Sequence, residues 1–195
     1  MAAFKPVLTG LDEPAGEWPR DHELLARVAT AGQSPDDVAP VRFGPPVSPH
    51  HAAELAGERM EPLDLARRAR ERGEAADALV CEGVGGLLVP LAPGYLIRDL
   101  ALDLGLPLII AARPGLGTIN HSLLTVEAAR TAGADVRAVV LTPWPGSPSE
   151  LELSNMRTIE AIGQVAVAGL PPARPDRESL AGAGRKLPVT EWLDA

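Results

Sequence analysis

Glu82 is the residue whose surroundings most call for a chemical role. The run Asp77-Ala78-Leu79-Val80-Cys81 reads as a short, buried parallel strand, and Glu82 stands at its carboxyl end. Gly83-Val84-Gly85-Gly86 follows at once. In open α/β sheets that edge is where ligands bind. A carboxylate there can hold a metal ion, directly or through water, and bare glycine backbone lets a nucleotide or substrate come close. The segment looks like the second half of a nucleotide site, yet no G-x-x-x-x-G-K-[S/T] phosphate loop occurs in the 195 residues.

Three further groups of residues could join it. Lys5-Pro6-Val7-Leu8-Thr9-Gly10 sets a lysine in an apolar strand and a hydroxyl at its carboxyl end. A lysine so placed loses hydration unless it meets an anion; an exposed lysine at a frayed terminus is the other reading. Asp21 opens a helix after Trp18-Pro19-Arg20, and taken alone it is a helix cap. Gly117-Thr118-Ile119-Asn120-His121 opens another helix, whose free N–H groups and dipole suit an anion; a glycine turn with Thr118 or Asn120 as cap explains it equally. His50, His51 and His121 lack metal-site spacing.

These groups need a scaffold that brings strand ends together. A chain that is 46% apolar can bury a full core, most simply as one domain spanning residues 1–195. A net charge of −8 with no dense Lys/Arg stripe excludes a nucleic-acid surface. Cys81 has no partner for an internal disulfide and reads as a core thiol, which suits a reducing compartment. Met1 to Pro6 carries no signal-peptide pattern, and no apolar run approaches the ~20 residues needed to span a bilayer. A soluble, cytoplasmic protein without membrane partners is expected.

The pattern predicts strands at 2–8, 38–43, 78–81, 106–111, 136–141 and 165–170. It predicts helices at 21–30, 50–58, 63–74, 96–104, 117–132 and 150–162, with an arginine-rich, solvated face on the one at 63–74. Alternating apolar strands and amphipathic helices indicate an α/β fold, a doubly wound and mostly parallel sheet.

Together the motifs resemble the dethiobiotin synthetase family of phosphate-loop NTPases. The family's K-P-V-x-[S/T]-G appears at Lys5–Gly10, its P-x-S-P-H-x-A-A-like stretch at Pro46–Ala53, its V-E-G-A-G-G loop at Cys81–Gly86, and its L-G-T-[IL]-N-H at Leu116–His121. The four occur in the family's order and spacing, across essentially the whole chain.

The resemblance implies an ATP- and Mg2+-dependent ligase that forms the ureido ring of dethiobiotin from 7,8-diaminopelargonic acid and CO2. It implies Lys5 as the catalytic lysine, with Thr9, Leu116, Gly117, Thr118 and Asn120 at the substrate. Asp21 and Glu82 become the Mg2+ carboxylates and, with Gly83, Val84, Gly85, Thr142 and Pro171, the ATP-binding set. It also implies a homodimer whose sites are shared across the interface.

Two departures stand out. Family members begin with a strand, a phosphate loop and a helix, a unit of roughly 30 residues with no counterpart here. The expectation is an N-terminally truncated chain, inactive alone, with two apolar strands facing water where the first strand should lie; a non-catalytic binding homologue is the alternative. Second, many members carry an asparagine facing the base, where this chain has Thr142.

Overall fold

The computed structural model describes residues 1–194. By its internal contacts the chain divides into two compact units, Met1–Leu104 and the residues from Gly105 onward.

The first unit begins with β1 (Ala2–Phe4) and β2 (Val7–Leu8), where the sequence predicts one strand. Pro6 lies between them and has no N–H to give to a ladder, so the two halves pair with different partners. Next come α1 (Asp21–Val28), α2 (Pro35–Val38), β3 (Val41–Arg42), α3 (Pro49–Ala56), α4 (Pro62–Glu74) and β4 (Leu79–Cys81). A hairpin of β5 (Pro90–Ala92) and β6 (Tyr95–Leu96), then α5 (Ile97–Leu104), completes the unit. Strand β1 pairs in parallel with β4, and β2 with β3.

Val38 ends a helix instead of starting a strand. The side chains and backbones of Ser34 and Asp37 bond reciprocally, which starts a helical turn at Pro35. Helix α4 buries Leu65, Ala66 and Ala69, while Arg67, Arg68 and Arg72 pair with Asp64, Glu71 and Asp37 on its outer face. The arginine run is a solvated face, as its sequence indicates. Val7, Phe43, Ala52, Leu65, Leu91 and Leu100 belong to the unit's main apolar cluster.

The outer edge of β1 is closed by one side chain. Gln33 Oε1 accepts from the Ala3 N–H at 2.8 Å, and Gln33 Nε2 donates to the Ala3 carbonyl at 2.9 Å.

The second unit contains β7 (Leu108–Ala112), α6 (Thr118–Thr131), β8 (Val136–Leu141), α7 (Glu150–Gly163), β9 (Ala166–Gly169), α8 (Arg177–Gly184) and α9 (Val189–Asp194). Its three strands form one parallel sheet in the order β7-β8-β9. The central strand β8 is the most buried, and the α9 residue Trp192 packs against Ala138 and Val140.

The α/β class and parallel pairing stand. Two strands read from sequence as buried are not. Val80 of β4 is 50% exposed and Ile109 of β7 is 46% exposed. Each strand has a partner on one side only among the described residues. The apolar pattern belongs to interior strands, whereas the pairing makes these two edge strands.

Candidate functional site

Register alone brings Lys5 to Glu82. In the parallel β1–β4 pair, Phe4 faces Cys81, and the Glu82 N–H donates to the Phe4 carbonyl at 2.8 Å. The next residue of each strand therefore leaves the same carboxyl edge. Lys5 Nζ donates to Glu82 Oε1 at 2.7 Å, and Asp21 Oδ2 lies 2.7 Å from the same nitrogen. Asp21 is the first residue of α1 and not its cap; that position falls to Arg20, and the Asp21 carboxylate turns to the lysine.

The trio is asymmetric in exposure. The Lys5 side chain is 6% exposed, but those of Asp21 and Glu82 are 54% and 45% exposed. Burial works against the lysine's charge, yet Glu82 and Asp21 outweigh it and raise its pKa above the ordinary value. The result is one buried cation faced by two carboxylates that remain open to solvent. His22, next along α1, is buried with Nδ1 unpartnered among the described residues, and burial lowers its pKa, so it adds no charge. Cys81 is pushed up to about 12 by burial and then by Glu82, which makes it an inert thiol.

Two hard carboxylates at one ammonium suit Mg2+, which takes one or two protein carboxylates and completes its shell with phosphate oxygens and water. No group of three or more His, Cys, Asp or Glu side chains arranged for a metal occurs among the described residues.

The loop after β4 is glycine-rich for steric reasons as well. Gly85 has φ +69°, and a Cβ there would meet Val89 at 3.0 Å. A Cβ on Gly83 would press on Ile97 at 3.1 Å. The Val84 side chain packs against the apolar core, so only its backbone is available to a ligand.

Thr9 is half-buried at the carboxyl end of β2. The loop that follows is stitched twice. Gly10 N, Leu11 N and Asp12 N donate to the carbonyls of Pro45, Phe43 and Gly44. From the other side, Arg20 Nη1 donates to the Gly10 carbonyl at 3.0 Å, and Nη2 donates to the carbonyls of Leu11 at 3.0 Å and of Glu13.

In the second unit, Gly117 takes φ +90° as the cap of α6. The N–H groups of Ile119 and Asn120 have no backbone acceptor among the described residues, as an anion-binding helix start requires. Asn120 is exposed and Leu116 is 91% exposed, but the Thr118 side chain is buried, its Oγ1 3.4 Å from Ser122 Oγ. Both hydroxyls line a cavity of about 400 Å³ with Ala112, Arg113, Leu116 and His121. Asn155 Nδ2 holds the preceding turn by donating to the Pro114 and Gly115 carbonyls at 2.9 and 3.2 Å. Thr142 continues β8, its N–H bonded to the Ala112 carbonyl. The Trp144 indole sits so close over Gly169 that a Cβ there would overlap it. Pro171 follows just beyond β9, half-buried.

Sequence reading missed Arg20, Ser122, Trp144 and the duty of Asn155. Only the glycine opposite Trp144 offered a local sign.

The chain resembles known proteins over most of its length. A protein-family model described as "AAA domain" matches residues 1–179. The ATP-dependent dethiobiotin synthetase of Bacillus velezensis is 32% identical over 172 residues, 88% of this chain and 73% of that protein. The Bacillus subtilis protein of that name is 34% identical over 88% of this chain and 74% of its own length. The one from Rhodococcus erythropolis is 34% identical over 98% of this chain and 82% of its own length. With Lys5 and Glu82 meeting at one strand edge and relatives of this likeness spanning most of its length, the chain belongs to the dethiobiotin synthetase family.

Proposed function

We propose that this protein is an ATP-dependent ligase that closes the ureido ring of dethiobiotin from 7,8-diaminopelargonic acid and CO2. The observation that carries the reading is the Lys5 ammonium, buried and held 2.7 Å from each of two half-exposed carboxylates, in a chain of this family.

One amine of the substrate attacks CO2, forms a C–N bond and loses a proton, giving a carbamate. A carbamate oxygen attacks the γ-phosphorus of ATP, and the bond to the β-phosphate oxygen breaks to release ADP. The second amine attacks the carbonyl carbon and loses a proton, the bond from that carbon to the phosphate oxygen breaks, phosphate leaves carrying the electron pair, and the ring closes. Negative charge gathers on the carbamate and the γ-phosphoryl group. Lys5 is the preorganised cation for it, fixed by its strand and kept protonated by Glu82 and Asp21. Asp21 and Glu82 are the residues that would hold Mg2+. Bound there, the ion would neutralise phosphate oxygens that must approach the two carboxylates.

Thr9 is assigned to the diamine end of the substrate. Leu116, Gly117, Thr118 and Asn120 are assigned to its carboxylate, through the helix-start donors of α6. The backbone of Gly83, Val84 and Gly85 serves the nucleotide, with Thr142 and Pro171 on the base side. The reading includes a homodimer with sites shared between subunits. It also places the β/γ-phosphate lysine and Ser/Thr in polypeptide beyond these residues, the chain spanning about three quarters of its Bacillus relatives.

The test is ATP-dependent conversion of the diamine and bicarbonate to dethiobiotin by protein made from the entire reading frame. Ring closure that needs ATP supports the reading. Tight binding of the diamine without turnover would replace it with a non-catalytic homologue.

A further inference from the structure

We infer that Arg20 is a positioning residue that clamps the loop after Thr9 to the first turn of α1, keeping Thr9 and Asp21 in register around Lys5. This rests on the function proposed above. Arg20 takes part in none of the ion pairs found among the described residues, so its charge is directed elsewhere. Its planar fork spends its donors on three backbone carbonyls, those of Gly10, Leu11 and Glu13. Its own carbonyl meanwhile accepts from Glu23 N at 2.9 Å and Leu24 N at 3.0 Å, starting α1. One residue thus ties the loop on one side to the helix on the other. Asp21, whose carboxylate reaches Lys5, is its immediate neighbour.

The loop needs such a tie. Gly10 sits at φ +82°, and residues 12–18 are all exposed, with little apolar burial to hold them. Lysine would not substitute, because an ammonium is a point donor without the fork that spans adjacent carbonyls.

The experiment compares Arg20→Ala and Arg20→Lys with the unaltered protein, all made from the entire reading frame. Amide hydrogen exchange of Gly10–Glu13 reads the clamp, and steady-state kinetics read its consequence. For Arg20→Ala, exchange in this segment accelerates and the diamine KM rises roughly tenfold or more, because small misplacement of binding groups is costly. The kcat falls less, the melting temperature shifts little, and Arg20→Lys recovers only part of the KM. Unchanged loop exchange in Arg20→Ala overturns the clamp whatever the kinetics. A loosened loop with an unchanged diamine KM overturns the positioning role. Unaltered protein that makes no dethiobiotin overturns the proposed function instead, and the exchange arm still decides whether Arg20 holds the loop.

Discussion

Lys5 Nζ is buried between two carboxylates that are themselves half in water, so its charge is stabilised by groups that solvent and ligands can reach. Lys5→Ala is expected to lower turnover at least ~10²-fold, the scale for losing one preorganised charge stabiliser. Steady-state assay checks it, and near-normal kinetics would remove the lysine from the mechanism. Glu82→Gln should raise the Mg2+ concentration needed for half-maximal rate, since one anionic oxygen ligand is lost. The lysine's pKa is higher folded than unfolded, so its stabilising effect is complete below about pH 10.4 and fades as pH climbs through the folded value. The melting-temperature gap between the unaltered protein and Lys5→Met should therefore narrow at strongly alkaline pH. A gap that widens there would reverse the sign. Cys81, with its thiol pushed up to about 12, should resist iodoacetamide at pH 8, and Cys81→Ser should keep activity within a few-fold.

Elements decide which of these residues meet. Glu82 was legible as the charge that ends an apolar run, but Lys5 read as lying inside one strand over 2–8, and only the break at Pro6 and the β1–β4 register set it beside Glu82. Asp21 was less so, since an acid opening a helix looks like a cap until its carboxylate is seen at Lys5 Nζ. The ties of Arg20 and Asn155 were illegible, because their acceptors are backbone carbonyls that residue letters do not display. The β5–β6 hairpin escaped for another reason: strands of three and two residues, one beginning at Pro90, carry no readable period. Helices α8 and α9 are equally short of signal. Asn155→Ala removes two bonds to the Pro114–Gly115 turn. The half-buried Pro114 carbonyl loses its partner while the Gly115 carbonyl keeps the Thr118 N–H, so the cost should be about 1 kcal/mol, measurable by urea denaturation. Asn120→Ala, at the exposed start of α6, should instead raise the diamine KM far more than it lowers kcat, the mark of lost uniform binding. Mixing it with Lys5→Ala under subunit exchange should restore activity if sites are shared between copies; no recovery would place the site within one chain.

At the scale of the molecule, β4 and β7 each have one edge without a strand partner among the described residues, with Val80 and Ile109 half exposed along them. Apolar strands seldom stay bare, because unpaired N–H and C=O groups invite pairing. The reading frame ahead of Met1 should therefore encode an apolar strand followed by G-x-x-x-x-G-K-[S/T]. In-frame stop codons just upstream, with no such motif, would sink that idea. Residues 1–195 expressed alone should be poorly soluble and should close no ring. Solubility and turnover equal to those of the longer product would count against it.

Gln33 gives that bareness a direction. Its side-chain amide already occupies the Ala3 N–H and C=O, and the Val38 carbonyl accepts from Lys5 N, so the far margin of β1 has no vacancy for an incoming chain. Among the described residues the β1–β4 pair is thus capped on that side and open to extension at β4. A foreign strand that adds to the β1–β4 pair therefore enters at β4, and whatever covers β4 governs that addition.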